Sequence, residues 1–141
     1  DYNTMEFAMV NARHIHFGNK ALMDSVAKTM LGARLLKAFE QNDLPLAQKL
    51  IKQKADINIR NRRKWGALHY TCWCGHLEAT IFLIRRGCDI MILNDVNRTP
   101  LHFAVKNGHR HIIKLLLEKK ADINALDDYE MTPLKWANWE R

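Results

Sequence analysis

The stretch TPLHFAVKNGHRHIIKLLLEKKADIN, residues 99–124, reads as two short helices joined by a tight turn. Pro100 suits the first turn of a helix, where its missing N–H costs nothing and its φ is already helical. Thr99 before it supplies an N-cap oxygen. Leu101, Ala104 and Val105 follow at helical spacing. Asn107-Gly108 then stops the helix, glycine providing the left-handed conformation of a C-cap. Ile112, Ile113, Leu115, Leu116 and Leu117 form the apolar face of a second helix, and Lys119-Lys120 suit the negative pole of its dipole. Ala121-Asp122-Ile123-Asn124 opens a loop.

The same plan recurs on both sides with a period of 33. Gly66-Ala67-Leu68-His69, Thr99-Pro100-Leu101-His102 and Thr132-Pro133-Leu134-Lys135 share one phase. So do Ala55-Asp56-Ile57-Asn58, Cys88-Asp89-Ile90-Met91 and Ala121-Asp122-Ile123-Asn124. Gly75-His76 and Gly108-His109 form a third set, with Asn42-Asp43 one period earlier. Three landmarks in one phase mark a repeat protein, in which each unit buries its apolar face only against its neighbours.

In period, turn and Thr-Pro-Leu-His signature, residues 32–141 resemble the ankyrin-repeat family. The resemblance implies an all-α solenoid of stacked helix-turn-helix units with protruding turns. The expected repeats are 32–60, 61–93, 94–126 and an incomplete 127–141. The first carries Leu35, Leu36, Ala38 and Phe39 on its inner helix and Leu46, Ala47, Leu50 and Ile51 on its outer one. In the second, Gly66-Ala67 lacks the cap hydroxyl and the proline, which predicts a repeat weaker by about 1 kcal/mol. The fourth stops before an outer helix, leaving Leu134, Trp136 and Ala137 without cover on one side, so either a natural chain continuing past Arg141 or some other cover for this end is expected. Residues 1–31 fall outside the period and are expected to form an N-terminal extension or cap. Leu22, Val26, Ala27 and Met30 predict a helix there from about Lys20; His14, His16 and Phe17 are not assigned.

Composition narrows the function classes. A hydrophobic fraction of 48% over 141 residues excludes a disordered chain. No apolar run approaches the roughly 20 residues needed to span a bilayer, so no membrane role is expected. The opening Asp1-Tyr2-Asn3-Thr4 has neither the start Met nor a basic-then-apolar leader, as expected of a fragment or processed chain without a secretory signal. Three cysteines, Cys72, Cys74 and Cys88, lack a disulfide framework and suit a reducing compartment, which predicts an intracellular, cytoplasmic or nuclear location.

The net charge of +7 favours acidic partners. The resemblance implies that binding uses the concave face, formed by turn tips and the open side of the inner helices. Those positions hold Arg60, Arg62, Arg63, Trp65, Trp73 and Cys74, then Leu93, Asp95, Val96, Arg98, Lys106 and Asn107, then Leu126, Asp128, Tyr129, Met131, Trp139 and Glu140. Tryptophan, tyrosine and arginine are the types that carry binding energy at interfaces. The expected partner-binding residues are therefore Arg60, Arg62, Arg63, Trp65, Trp73, Val96, Arg98, Lys106, Tyr129, Met131 and Trp139. A turn tip offers no packing reason for Trp65, which favours binding over a ring folded back on its own repeat.

The expected partner is a protein with an acidic segment and an apolar anchor, gripped by Arg98 and the basic run through Lys64, with regulation of an attached domain as one use. The alternative is nucleic acid on the 60–64 tip, with Trp65 and Trp73 as stacking platforms. No enzyme is expected, because no phosphate loop, nucleophile elbow or metalloprotease motif is present. No cofactor or metal is expected either. Cys72 and Cys74 have the wrong spacing for a zinc pair, and His69 and His76 suit backbone hydrogen bonds. Asp127-Asp128 reads as solvated turn chemistry, and Cys74 as an exposed, modifiable thiol.

Overall fold

The computed structural model describes residues 19–139. The segment with His14, His16 and Phe17, and Glu140 at the other end, lie outside them. Among the described residues there are seven helices and no strand, only an isolated bridge between Arg60 and Gly66. The chain divides into two compact units, Asp1–Ile59 and Arg60–Arg141.

In the first unit, α1 (Lys20–Glu40) starts where the apolar spacing placed it, with Asn19 as N-cap. The Asn19 side chain accepts the Leu22 N–H at 3.0 Å. The helix then runs on through residue 32 without a break, so the extension and the first inner helix are one element. Its buried residues, Gly32, Leu35, Leu36, Ala38 and Phe39, lie in the C-terminal half, where α2 (Leu44–Lys52) packs through Ala47 and Leu50. Gly32 admits Ile59: a Cβ there would stand 2.8 Å from the Ile59 side chain.

The second unit holds the hairpins α3 (Ala67–Cys74) with α4 (Leu77–Arg85), and α5 (Pro100–Lys106) with α6 (Arg110–Glu118), then α7 (Pro133–Asn138). Inner helices pack in order, α3 on α5 and α5 on α7. Leu68, Leu83, Leu101, Ala104, Ile112 and Leu116 form the core between them. Thr99 and Thr132 cap α5 and α7 through their hydroxyls, as the motif implied. Leu134 is 61% exposed, because its repeat has no outer helix among the described residues.

Gly66 gives α3 no side-chain cap. Part of the capping survives because His69 Nδ1 accepts the Gly66 N–H at 3.0 Å, as His102 Nδ1 accepts that of Thr99 at 3.1 Å. An accepting Nδ1 puts the proton on Nε2, which donates onward. His69 Nε2 reaches the carbonyls of Ile92 and Arg98, both at 3.1 Å, and His102 Nε2 reaches that of Met131 at 2.9 Å. Each histidine thus bolts the start of an inner helix to the next turn. Burial lowers both pKa values, that of His69 to about 4, so both rings are neutral at pH 7.

Gly75 (φ +83°) is required twice. Its backbone is left-handed, and a Cβ would meet the His109 ring at 2.6 Å.

A candidate partner-binding cleft

Three turns of identical construction position the site. Asn61, Asn94 and Asp127, each 33 apart, open them. In every turn this side chain accepts two backbone N–H groups, those of the residues two and four positions on. The pairs are Arg63 and Trp65, Val96 and Arg98, and Tyr129 and Met131, at 2.8–3.1 Å. The third residue is left-handed each time: Lys64, Asn97 and Glu130 all have φ +59°. Neighbouring turns are joined by Asp95 N–H to the Arg63 carbonyl and Asp128 N–H to that of Val96, both 3.0 Å. Arg60 Nη1 adds a bond to the Leu93 carbonyl at 2.9 Å.

A cavity of about 450 Å³ lies against these turns. It is lined by Arg63, Trp65, Val96, Arg98, Tyr129, Met131 and Trp139, all expected from the sequence, and by Asn94, Phe103 and Trp136, which were not. Phe103 and Trp136 follow Tyr70 at the repeat period, so one aromatic per repeat was the missed signal. Trp136 had been assigned only to a repeat end lacking cover. The other expected residues stand apart from the cavity wall. Arg60 and Arg62 are exposed on the first turn. Trp73, 37% exposed, stacks on Trp136 with centroids 6.4 Å apart. Lys106 donates to the Trp136 carbonyl at 3.2 Å.

Three sequence expectations need correction. Trp65 does have a packing reason: its ring lies 4.6 Å from that of Phe103 and 5.0 Å from that of Tyr70, and its Nε1 is buried without a hydrogen-bond partner. It folds onto its own repeat and the next while one side lines the cavity. Asp127 is not solvated. It is 5% exposed, closes the third turn and pairs with Arg98 Nε at 3.0 Å. Burial pushes its pKa up, but the Met131 and Tyr129 N–H groups and the Arg98 guanidinium outweigh that and hold it below the usual value. Cys74 is half-buried, not open.

Arg98 is the central side chain. Its guanidinium carbon sits 3.8 Å from the Trp136 ring centroid and 5.7 Å from that of Tyr129. Arg63 lies 5.9 Å over Trp65. The arrangement places cations against aromatic walls. Cys72 is fully buried, and burial pushes its thiol pKa up to about 12, so it carries no thiolate at pH 7. No group of three or more metal-ligating side chains occurs among the described residues, and no helix among them is long and apolar enough to cross a membrane.

A family model for ankyrin repeats (3 copies) matches residues 35–127 and 82–140. The chain belongs to the ankyrin-repeat family. No curated protein matches it. Ankyrin repeats are generally protein–protein interaction modules and typically not enzymes. The cavity sits on the turns and inner helices of the second and later ankyrin repeats.

Proposed function

We propose that this ankyrin-repeat chain binds an acidic segment of another protein, carrying an apolar anchor, in the cleft of residues 60–139. The observation that carries the reading is the cavity itself. Guanidinium groups from two successive turns meet exposed aromatic surface there, with Tyr129 64% and Trp139 68% exposed. Arg, Trp and Tyr in and around a pocket are the composition of an energetic centre of binding. A volume of about 450 Å³ suits one or two side chains of a partner. The exposed Arg60, Arg62 and Lys64 would speed encounter with an acidic chain.

Fluorescence anisotropy with short labelled peptides, acidic around one apolar residue, tests this. Binding should weaken about tenfold or more in Tyr129→Ala/Trp139→Ala, with unchanged melting. Equal binding by wild type and variant removes the reading. Nucleic acid is less well supported, because Trp65 is packed against Tyr70 and Phe103, and Asp95 and Asp128 stand on the next two turns. Phosphate binding would show a steep fall of affinity with salt.

A further inference from the structure

The charged side chains lining the cavity, Arg63 and Arg98, are both donors. Asn94 is 4% exposed and lines the cavity. Its Oδ1 is occupied by the Val96 and Arg98 N–H groups, while its amide nitrogen has no acceptor among the described residues and is not sealed from solvent. The preceding repeat shows what is missing. There the corresponding amide, Asn61 Nδ2, donates to the Tyr70 hydroxyl at 2.7 Å. One period on, Tyr70 is replaced by Phe103, and the acceptor is gone. A nearly buried amide left without its partner loses stability unless something else accepts from it.

Arg98 brings a second set of donors to the same cavity, which both residues line. Asp127 holds Nε, and Trp136 supports the guanidinium plane. Both Nη atoms have no acceptor among the described residues. This is a fork fixed in orientation with its outer prongs unused.

Charge then decides which anion fits. Arg63 and Arg98 are offset by Asp127, so the cavity and its supports carry one net positive charge. A planar monoanion matches that charge and the Arg fork; a dianionic phosphate exceeds it.

We propose that the cavity seats a single carboxylate, from an Asp or Glu side chain of the partner segment. The carboxylate lies on the Arg98 Nη atoms and Asn94 Nδ2, with the partner's adjacent apolar residue against Trp136 and Trp139. This rests on the docking reading above and adds the position and charge of the anchor.

Calorimetric titration of the full chain tests it with three peptides: acetyl-Gly-Ser-Glu-Phe-Ser-Gly-amide, its Gln counterpart, and a counterpart with Gln and phosphotyrosine in place of Glu-Phe. The Glu peptide should bind about tenfold more tightly than the Gln peptide, and more tightly than the phosphotyrosine peptide. Phe103→Tyr restores the hydroxyl found at Tyr70, and it should weaken the Glu peptide several-fold with no change for the Gln peptide, while melting is unchanged or raised by the restored bond. Arg98→Lys should remove most of the Glu preference. Equal affinity for Glu and Gln, tighter phosphotyrosine binding, or indifference to Phe103→Tyr overturns the proposal. If longer acidic segments still bind and still depend on Tyr129 and Trp139, the docking face stands and only the carboxylate seat falls. If no acidic segment binds, both fall.

Discussion

Lowering the pH from 7 to 5 should cost the second unit about 2 kcal/mol through His69 alone. The ring is 0% exposed and bonded at both nitrogens, to the Gly66 N–H and to the Ile92 and Arg98 carbonyls. Protonation turns the accepting Nδ1 into a donor facing another donor, and it charges a buried ring. The pKa falls from 6.5 to about 4. Between those values the unfolded chain binds the proton and the folded one does not, so stability falls as pH falls, beginning near 6.5 and complete below about 4. At about 1.4 kcal/mol per unit the full loss is roughly 3 kcal/mol, with about 2 kcal/mol reached by pH 5. His102, also lowered by burial, adds in the same direction. All four tryptophans lie in this unit, so tryptophan fluorescence during urea unfolding reports on it alone. Comparison of wild type with His69→Gln at constant ionic strength isolates the ring. A flat profile in wild type, or an equal slope in His69→Gln, would refute the reasoning.

Further outcomes follow from the same contacts, each read by urea or thermal unfolding. Asp127→Ala should cost about 2–4 kcal/mol, because it opens a turn and strands Arg98. Asp127→Asn should cost only about 1 kcal/mol, since Asn61 and Asn94 close the equivalent turns with an amide oxygen. Lys120 has φ +71° at the position that Gly87 fills one repeat earlier, so Lys120→Gly should stabilise by about 0.5–1 kcal/mol. Trp65→Ala should destabilise by about 3 kcal/mol or more, whereas Trp139→Ala, at an exposed ring, should leave stability nearly unchanged.

The fold was legible because its signals are local. Thr99, Pro100 and Gly108 act within a turn of their own positions, and the 33-residue phase repeats them. The turn positions facing the cavity were legible for the same reason. Asp127 was misread because its character is set by Arg98, 29 residues earlier, which no reading of the Asp127-Asp128 pair reveals. Trp65 was misread because the nearer of its two packing rings, Phe103, belongs to the next repeat. Asn94 was missed because its significance lies in a difference: a hydroxyl at Tyr70 that Phe103 lacks.

The most direct test follows the four tryptophan indole N–H resonances and the arginine side chains by NMR while an acidic, apolar-anchored peptide is added. The account predicts shifts for Trp136, Trp139 and Arg98 that saturate together, with the outer face of α6 at Arg110, Ile113 and Lys114 unmoved. Shifts confined to that outer face, with the indole signals unchanged at saturation, would contradict it.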